Sequence, residues 1–240
     1  MLFRSLLIVC GYEPSEIFQD LYSSPNLFEK SKINLNILTQ WGLFSSDIIL
    51  KKLEEMIFKK IDEEKSPLYG LKTIPTVIEL FERTNKNLVT VVSNLTEMKA
   101  CYINHEDEKF KNFKCTEIVR MACTIPIIFQ KIEYDNNYYI DGAFIDNFPI
   151  KYVDDGRRKI LGLNINCNDF TKIDSFITYF DKFTTLTIKK LTEITNHHLS
   201  DECFVITLSY SCSIIDFELT SEKKMTMFLH GYNETKKLFE

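Results

Sequence analysis

Tyr138-Tyr139-Ile140-Asp141-Gly142-Ala143-Phe144-Ile145-Asp146-Asn147-Phe148-Pro149-Ile150 is the stretch on which the reading of this chain turns. Its opening residues are aromatic and β-branched, as a strand requires, and the run stops at Asp141-Gly142. A carboxylate placed where a strand ends sits at the edge of an element, within reach of solvent or substrate. Gly142 has no Cβ, so the backbone can turn there without penalty. Asp-Gly is also a strong short turn signal, and taken alone the pair means no more than a turn. Just upstream, Lys131–Tyr134 and Tyr138–Ile140 flank Asp135-Asn136-Asn137 and predict a hairpin that delivers Asp141.

Further out, the period alternates between strand and helix. Met1–Cys10 is apolar nearly all round and predicts a buried helix closed by Gly11. Pro14 opens a second helix carrying Ile17, Phe18 and Leu21, which Pro25 breaks. Ser45 or Ser46 caps a longer helix to about Glu63, with Ile49, Leu53, Met56, Ile57 and Lys60-Ile61 at helical spacing. Another helix is expected from Thr73 and Pro75 through Phe81. Leu88–Ser93 and Ala100–Ile103 are strand-like, Thr116–Ala122 is a short helix, and Lys159–Asn164 and Phe204–Leu208 are strands around an amphipathic stretch, Ile173–Thr195. A terminal helix starts at Ser221. Strands alternating with helices predict a mostly parallel sheet with helices on its faces, in one domain.

Composition narrows the function classes. A net charge of −5 and a pI near 5.5 argue against nucleic-acid binding, which normally needs a basic surface. The chain has 7 glycines, none adjacent to another, less than half the usual share of about 7%. Loops that cradle phosphates or oxyanions draw on several clustered glycines. The 7 cysteines are odd in number and form no Cys-x-x-Cys pair; they imply neither a disulfide framework nor a zinc ribbon, and a reducing compartment is the simpler reading. No apolar run approaches the ~20 residues of a membrane span. Met1–Cys10 imitates a signal peptide, but its uninterrupted apolar part, Leu6–Cys10, falls short of the usual 7–15 residues.

Five segments, in order along the chain, resemble the patatin-like phospholipase family. The helix ending Cys10-Gly11-Tyr12-Glu13-Pro14-Ser15-Glu16-Ile17 is similar to the one that follows that family's nucleophile. Val89–Thr96 resembles its central strand, and Ile118–Pro126 the helix and proline turn before its catalytic hairpin. Asp141-Gly142-Ala143, with Asp146-Asn147-Phe148-Pro149 behind it, fits the Asp-Gly-Gly/Ala motif and the trailing Asn-x-Pro. Phe217–Thr220 and His230-Gly231-Tyr232 resemble its last helical segment. The resemblance implies a three-layer α/β/α fold and a lipid acyl hydrolase of phospholipase A or lysophospholipase type, without cofactor or metal. It further implies a cytoplasmic protein that touches membranes transiently to reach phospholipid or another lipid acyl ester. In that family a serine in a Gly-x-Ser-x-Gly elbow attacks the ester, an aspartate takes its proton, and a glycine-rich loop binds the oxyanion. Asp141 carries over as the general base, with Gly142 and Ala143 shaping its turn and Asn147 fixing the turn behind it. A free aspartate, with a pKa of about 3.9, is a poor base at neutral pH and needs a close, partly desolvated setting.

The nucleophile does not carry over. No serine here stands two residues from a glycine, and the glycine-rich loop is absent. The resemblance starts at the helix that follows the elbow, so the expected serine lies upstream of Met1. A fragment of a full enzyme, a chain completed by a separate chain, and an inactive homologue acting as a lipid- or partner-binding module all fit. Head group, acyl position and oligomeric state stay open.

Other candidates carry less. Asp146 is five residues from Asp141, a spacing open to a carboxylate pair, but nothing else supports a sugar or phosphoryl site. His197-His198 with Asp201 and Cys203 matches no zinc spacing. His105 and His230 are expected in packing or capping roles, and Cys123 lacks the basic neighbour of an activated thiolate. Trp41 and Phe44, beside Gly42, are candidates for a lipid-access lip.

Overall fold

A computed structural model of the chain describes residues 2–24, 37–167, 172–195, 198–211 and 219–240. The chain divides into two compact units, Met1–Gly142 and Ala143–Glu240. His197 and Phe217-Glu218 lie outside the described residues.

The first unit begins with α1 (Leu2–Val9), α2 (Pro14–Ser23), α3 (Ile37–Gln40), β1 (Gly42–Phe44) and α4 (Asp47–Asp62). Gly11, at φ 93°, ends α1: its N–H reaches the Ile8 carbonyl at 3.1 Å and the Tyr12 N–H reaches Leu7 at 3.0 Å. That pair of bonds satisfies two carbonyls at the helix end, and the left-handed residue making it is normally glycine. α1 is buried on one side only: Leu6, Leu7 and Cys10 are sealed while Ile8 is exposed. They meet Leu53, Met56, Ile57 and Ile61 of α4, spaced one helical face apart, in a core with Tyr12 and Ile17. Lys60 shares that inward face. Its ammonium is neutralised by Glu63 at 2.7 Å and Glu16 at 3.0 Å, above the Tyr12 ring. Burial works to lower the Lys60 pKa, and the two carboxylates more than reverse it.

Next come α5 (Val77–Thr84), β2 (Thr90–Asn94), β3 (Lys99–Ile103), α6 (Cys115–Ala122), β4 (Ile127–Phe129), β5 (Ile132–Tyr134) and β6 (Asn137–Asp141). α5 starts later than Thr73 and Pro75 suggested. Thr76 accepts the Glu79 N–H at 3.3 Å while the Glu79 carboxylate takes the Thr76 N–H at 2.9 Å, a reciprocal cap that fixes the start. The four-stranded sheet runs β3-β2-β6-β5 and every pairing in it is antiparallel. The expectation of a mostly parallel sheet is corrected here, because short turns, rather than helices, join β2 to β3 and β5 to β6. Parallel pairing occurs in the small β1–β4 ladder. Behind the four strands, Val92, Ile103, Phe110, Ile118, Met121, Ile132 and Tyr139 form a second core.

The second unit contains α7 (Ala143–Asp146), α8 (Ile150–Val153), β7 (Ile160–Cys167), α9 (Phe176–Thr195), β8 (Cys203–Tyr210) and α10 (Ser221–Lys236). β7 and β8 pair in parallel along eight residues, with α9 between them in sequence, the arrangement of a crossover unit. Gly162 lets Phe148 and Ile150 close on β7: a Cβ there would stand 2.7 and 2.8 Å from their side chains. His230 of α10 bonds the Ser209 carbonyl at 2.8 Å and leans on Tyr210.

Candidate active site

Asp141 is placed by a hairpin whose geometry is local. β5 and β6 pair Ile132 with Tyr139 and Tyr134 with Asn137, leaving Asp135-Asn136 as a two-residue connection. Both have left-handed backbones, φ 51° and 57°. That conformation matches the right-handed twist of the strands, and Asp and Asn tolerate it better than most residues. The turn is thus one residue shorter than the sequence implied, and Asn137 joins the strand. The loop end is tied down by Asn94, whose amide reaches Asn137 Oδ1 at 3.1 Å, and by Thr96, whose hydroxyl accepts the Tyr138 N–H at 3.0 Å.

At the other end, Asp141 pairs with Val92 of β2. Its N–H goes to the Thr124 carbonyl at 3.0 Å and its carbonyl accepts the Ser93 hydroxyl at 3.0 Å. Its residue is partly exposed. Gly142 packs so closely on β2 that a Cβ would overlap the Val91 carbonyl. The glycine therefore answers to a backbone approach, and its φ is not left-handed. Cys123, at the end of α6, lies near enough for the Asp141 carboxylate to act on it. Burial first, and then that carboxylate, push its thiol up to about 12, so it is protonated at neutral pH and not a nucleophile.

The remaining motif residues fall in the second unit. Ala143 begins α7 and Asp146 ends it. The Asn147 amide reaches the Thr192 hydroxyl of α9 at 3.5 Å. Thr124 and Ser93, which hold the Asp141 backbone, were not singled out by sequence: their contacts span 17 and 48 residues, and no local spacing announces them.

Beside the hairpin lies an apolar pocket of about 220 Å³, lined among others by Trp41, Leu95, Pro126, Phe129, Tyr138 and Ile140. Phe44 is not a lining residue; it pairs with Phe129 in the β1–β4 ladder. A second hollow, between α2 and α4, is polar and occupied by the ion pairs Lys59–Asp20, Lys60–Glu16 and Lys60–Glu63.

Other sequence candidates have structural partners. His105 stacks on Phe81, ring centroids 3.6 Å apart, and its Nδ1 lies 3.0 Å from Asn87 Oδ1. Among the described residues no three His, Cys, Asp or Glu side chains converge as metal ligands. Cys10, Cys101, Cys115, Cys123 and Cys203 carry free thiols. Ser200 does donate its hydroxyl to a carboxylate, Asp154 Oδ1 at 2.6 Å, and its N–H to Oδ2 at 2.8 Å. Those two bonds, with Gly156 N–H, hold Asp154 down at about 2. So acidic a carboxyl is a weak base, and the pair anchors the turn before β8.

The patatin-like phospholipase family matches residues 4–154. A protein of Invertebrate iridescent virus 6 named "Probable lipid hydrolase 463L" is 36% identical over 151 residues, covering 60% of this chain and 47% of its own length. An uncharacterized protein of Acanthamoeba polyphaga mimivirus is 22% identical over 244 residues, 96% of this chain and 77% of its own. The chain thus spans about half the length of the first viral relative. Among the described residues no helix is long and apolar enough to cross a membrane.

Proposed function

Because the chain belongs to the patatin-like phospholipase family, we propose that it supplies the aspartate half of a Ser–Asp dyad that hydrolyses lipid acyl esters, of phospholipase A or lysophospholipase type. The observation that carries this is the seating of Asp141. Its backbone is bonded on both sides, to Thr124 and Ser93, and the next residue is a glycine pressed against Val91. A base needs such a fixed position, because proton transfer depends on ångström-scale placement. In this reading Asp141 takes the proton of a serine hydroxyl as the serine oxygen attacks the ester carbonyl. It returns that proton to the departing alcohol, and water then releases the acyl group by the same route. No serine among these 240 residues is flanked by glycine at the elbow spacing, so the part of the dyad proposed for this chain is the aspartate. The proposal takes residues 1–240 as one patatin-like domain of three-layer α/β/α type, with Asn147 in support. The family match runs through Gly142 into the second unit as far as Asp154. A cytoplasmic protein meeting membranes only at their surface fits the free thiols and the lipid substrate the family implies.

The test is hydrolysis of a soluble short-chain ester, with labelling by a fluorophosphonate, in the native protein. Asp141→Asn should abolish turnover and leave the unfolding midpoint nearly unchanged; full activity in that variant rules out Asp141 as the base. A second reading, a non-catalytic lipid- or partner-binding module, is favoured by the missing elbow serine. Fluorophosphonate labelling of the native protein eliminates it.

A further inference from the structure

Trp41 is the chain's single tryptophan, and it is 50% exposed. Its backbone is left-handed, at φ 58°, a costly conformation for a large side chain. Ile127, the first residue of β4, is left-handed too, at φ 69°, and for a β-branched residue that is rarer still. The two strained residues stand together at the first rung of one ladder: Trp41 directly precedes Gly42, and Gly42 pairs with Ile127. Gly42 itself admits no side chain, because a Cβ would overlap the Phe129 carbonyl. Strain at bulky residues persists only where surrounding structure imposes it, and it gathers at functional positions. Here it presents an indole at a pocket mouth.

The rim has a definite chemistry. The Trp41 and Tyr138 rings lie 5.2 Å apart. The Lys131 ammonium sits 4.2 Å from the indole and 5.1 Å from the phenol ring, with the Glu133 carboxylate 3.8 Å away. Below it the pocket is walled by Leu95, Pro126, Phe129 and Ile140. Tryptophan and tyrosine favour the boundary between headgroups and acyl chains, and a lysine keeps its charge at the headgroup while its stem lies along apolar surface. The pocket adjoins the proposed base: Ile140 precedes Asp141, and Thr124, whose carbonyl holds the Asp141 N–H, also lines it.

We propose that this rim docks the protein on a phospholipid layer. Trp41 and Tyr138 lie in the headgroup–acyl boundary, Lys131 pairs with a lipid phosphate, and an acyl segment enters the pocket. The inference rests on the lipid-hydrolase reading, yet its test does not depend on turnover. Since the whole chain is acidic, at −5, attraction to an anionic layer is local to Lys131 and the aromatic insertion supplies the rest.

Trp41 reports its own surroundings. Its emission is followed as vesicles of phosphatidylcholine doped with phosphatidylglycerol are added, with and without bromine on the acyl chains, beside hydrolysis of a soluble short-chain ester. The expected result is a blue shift that saturates with lipid and quenching by the brominated chains. Lys131→Gln, which keeps the probe, should weaken binding to these vesicles by about fivefold, the worth of one basic residue near an anionic surface. No shift and no bromine quenching at saturating lipid overturns the proposal, even if the ester is cleaved, and the hydrolase reading then stands alone. Embedded Trp41 with no ester cleavage and no fluorophosphonate labelling by the native protein supports docking and removes the hydrolase reading. A blue shift that grows with protein concentration in the absence of lipid assigns the rim to a second copy of the chain and overturns the proposal.

Discussion

A methyl group added at Gly142 meets the Val91 carbonyl, and nothing there is a flexible side-chain end that can swing aside. Gly142→Ala must therefore part β6 from β2 or bend the chain beyond Asp141. Overpacking against a rigid partner costs about 3 kcal/mol, so the urea midpoint should fall well below that of the parent. An unchanged midpoint would show that β2 yields there. The identity of this glycine was legible from Asp141-Gly142-Ala143 as a motif, but the reason for it was not. A turn and a close approach demand the same residue, and only the register Val92–Asp141 distinguishes them. Thr124 and Ser93 are not legible in the sequence for a related reason. Their roles depend on chain segments meeting across the sheet, and a threonine ahead of Ile125-Pro126 or a serine in an apolar strand has no signature of its own.

Elements were most legible where their ends are chemically marked. Gly11 after α1, Pro14 at the head of α2 and the hairpin into Asp141 follow from short-range rules. α5 was displaced because Thr73, Pro75 and Thr76 all resemble starts, and the Glu79 carboxylate decides among them by reaching the Thr76 N–H. The turn ahead of β8 offers a measurable case. Asp154 is held at about 2, against an ordinary 3.8, chiefly by the Ser200 hydroxyl and N–H. A carboxyl whose folded pKa is depressed stabilises the fold above its unfolded pKa, and that contribution disappears as pH falls from about 4 to about 2. Asp154→Asn should thus be less stable than the parent at pH 6, and the gap should close by pH 2, as read from urea midpoints at each pH. A gap that persists unchanged at pH 2 would mean the carboxylate charge plays no part.

At the scale of the whole chain, burial is uneven. In the first unit β2 is buried throughout, and α4 and α6 bury five and six residues; α10 in the second buries none. Amide exchange follows local opening, which is rarest where buried apolar contact is dense. The slowest amides should lie in β2, α4 and α6 and the fastest helical ones in α10, by hydrogen–deuterium exchange with mass detection. Equal protection in α10 and α4 would contradict this. The mixture of helices and strands was plain from periodicity, whereas sheet direction was not, because the β2–β3 link and a crossover differ in what fills the gap, and Leu95–Met98 is too short for a helix. The turn at Asp135-Asn136 has a further consequence, for how this chain can change over time. A strand advances about 3.3 Å per residue and reverses its side chains at each step. One residue gained or lost in that turn would set the β5–β6 register against the one that Val92 of β2 imposes on Asp141. Surface loops elsewhere can lengthen at small cost, but this one works as a ruler, and drift in its length is paid in chemistry.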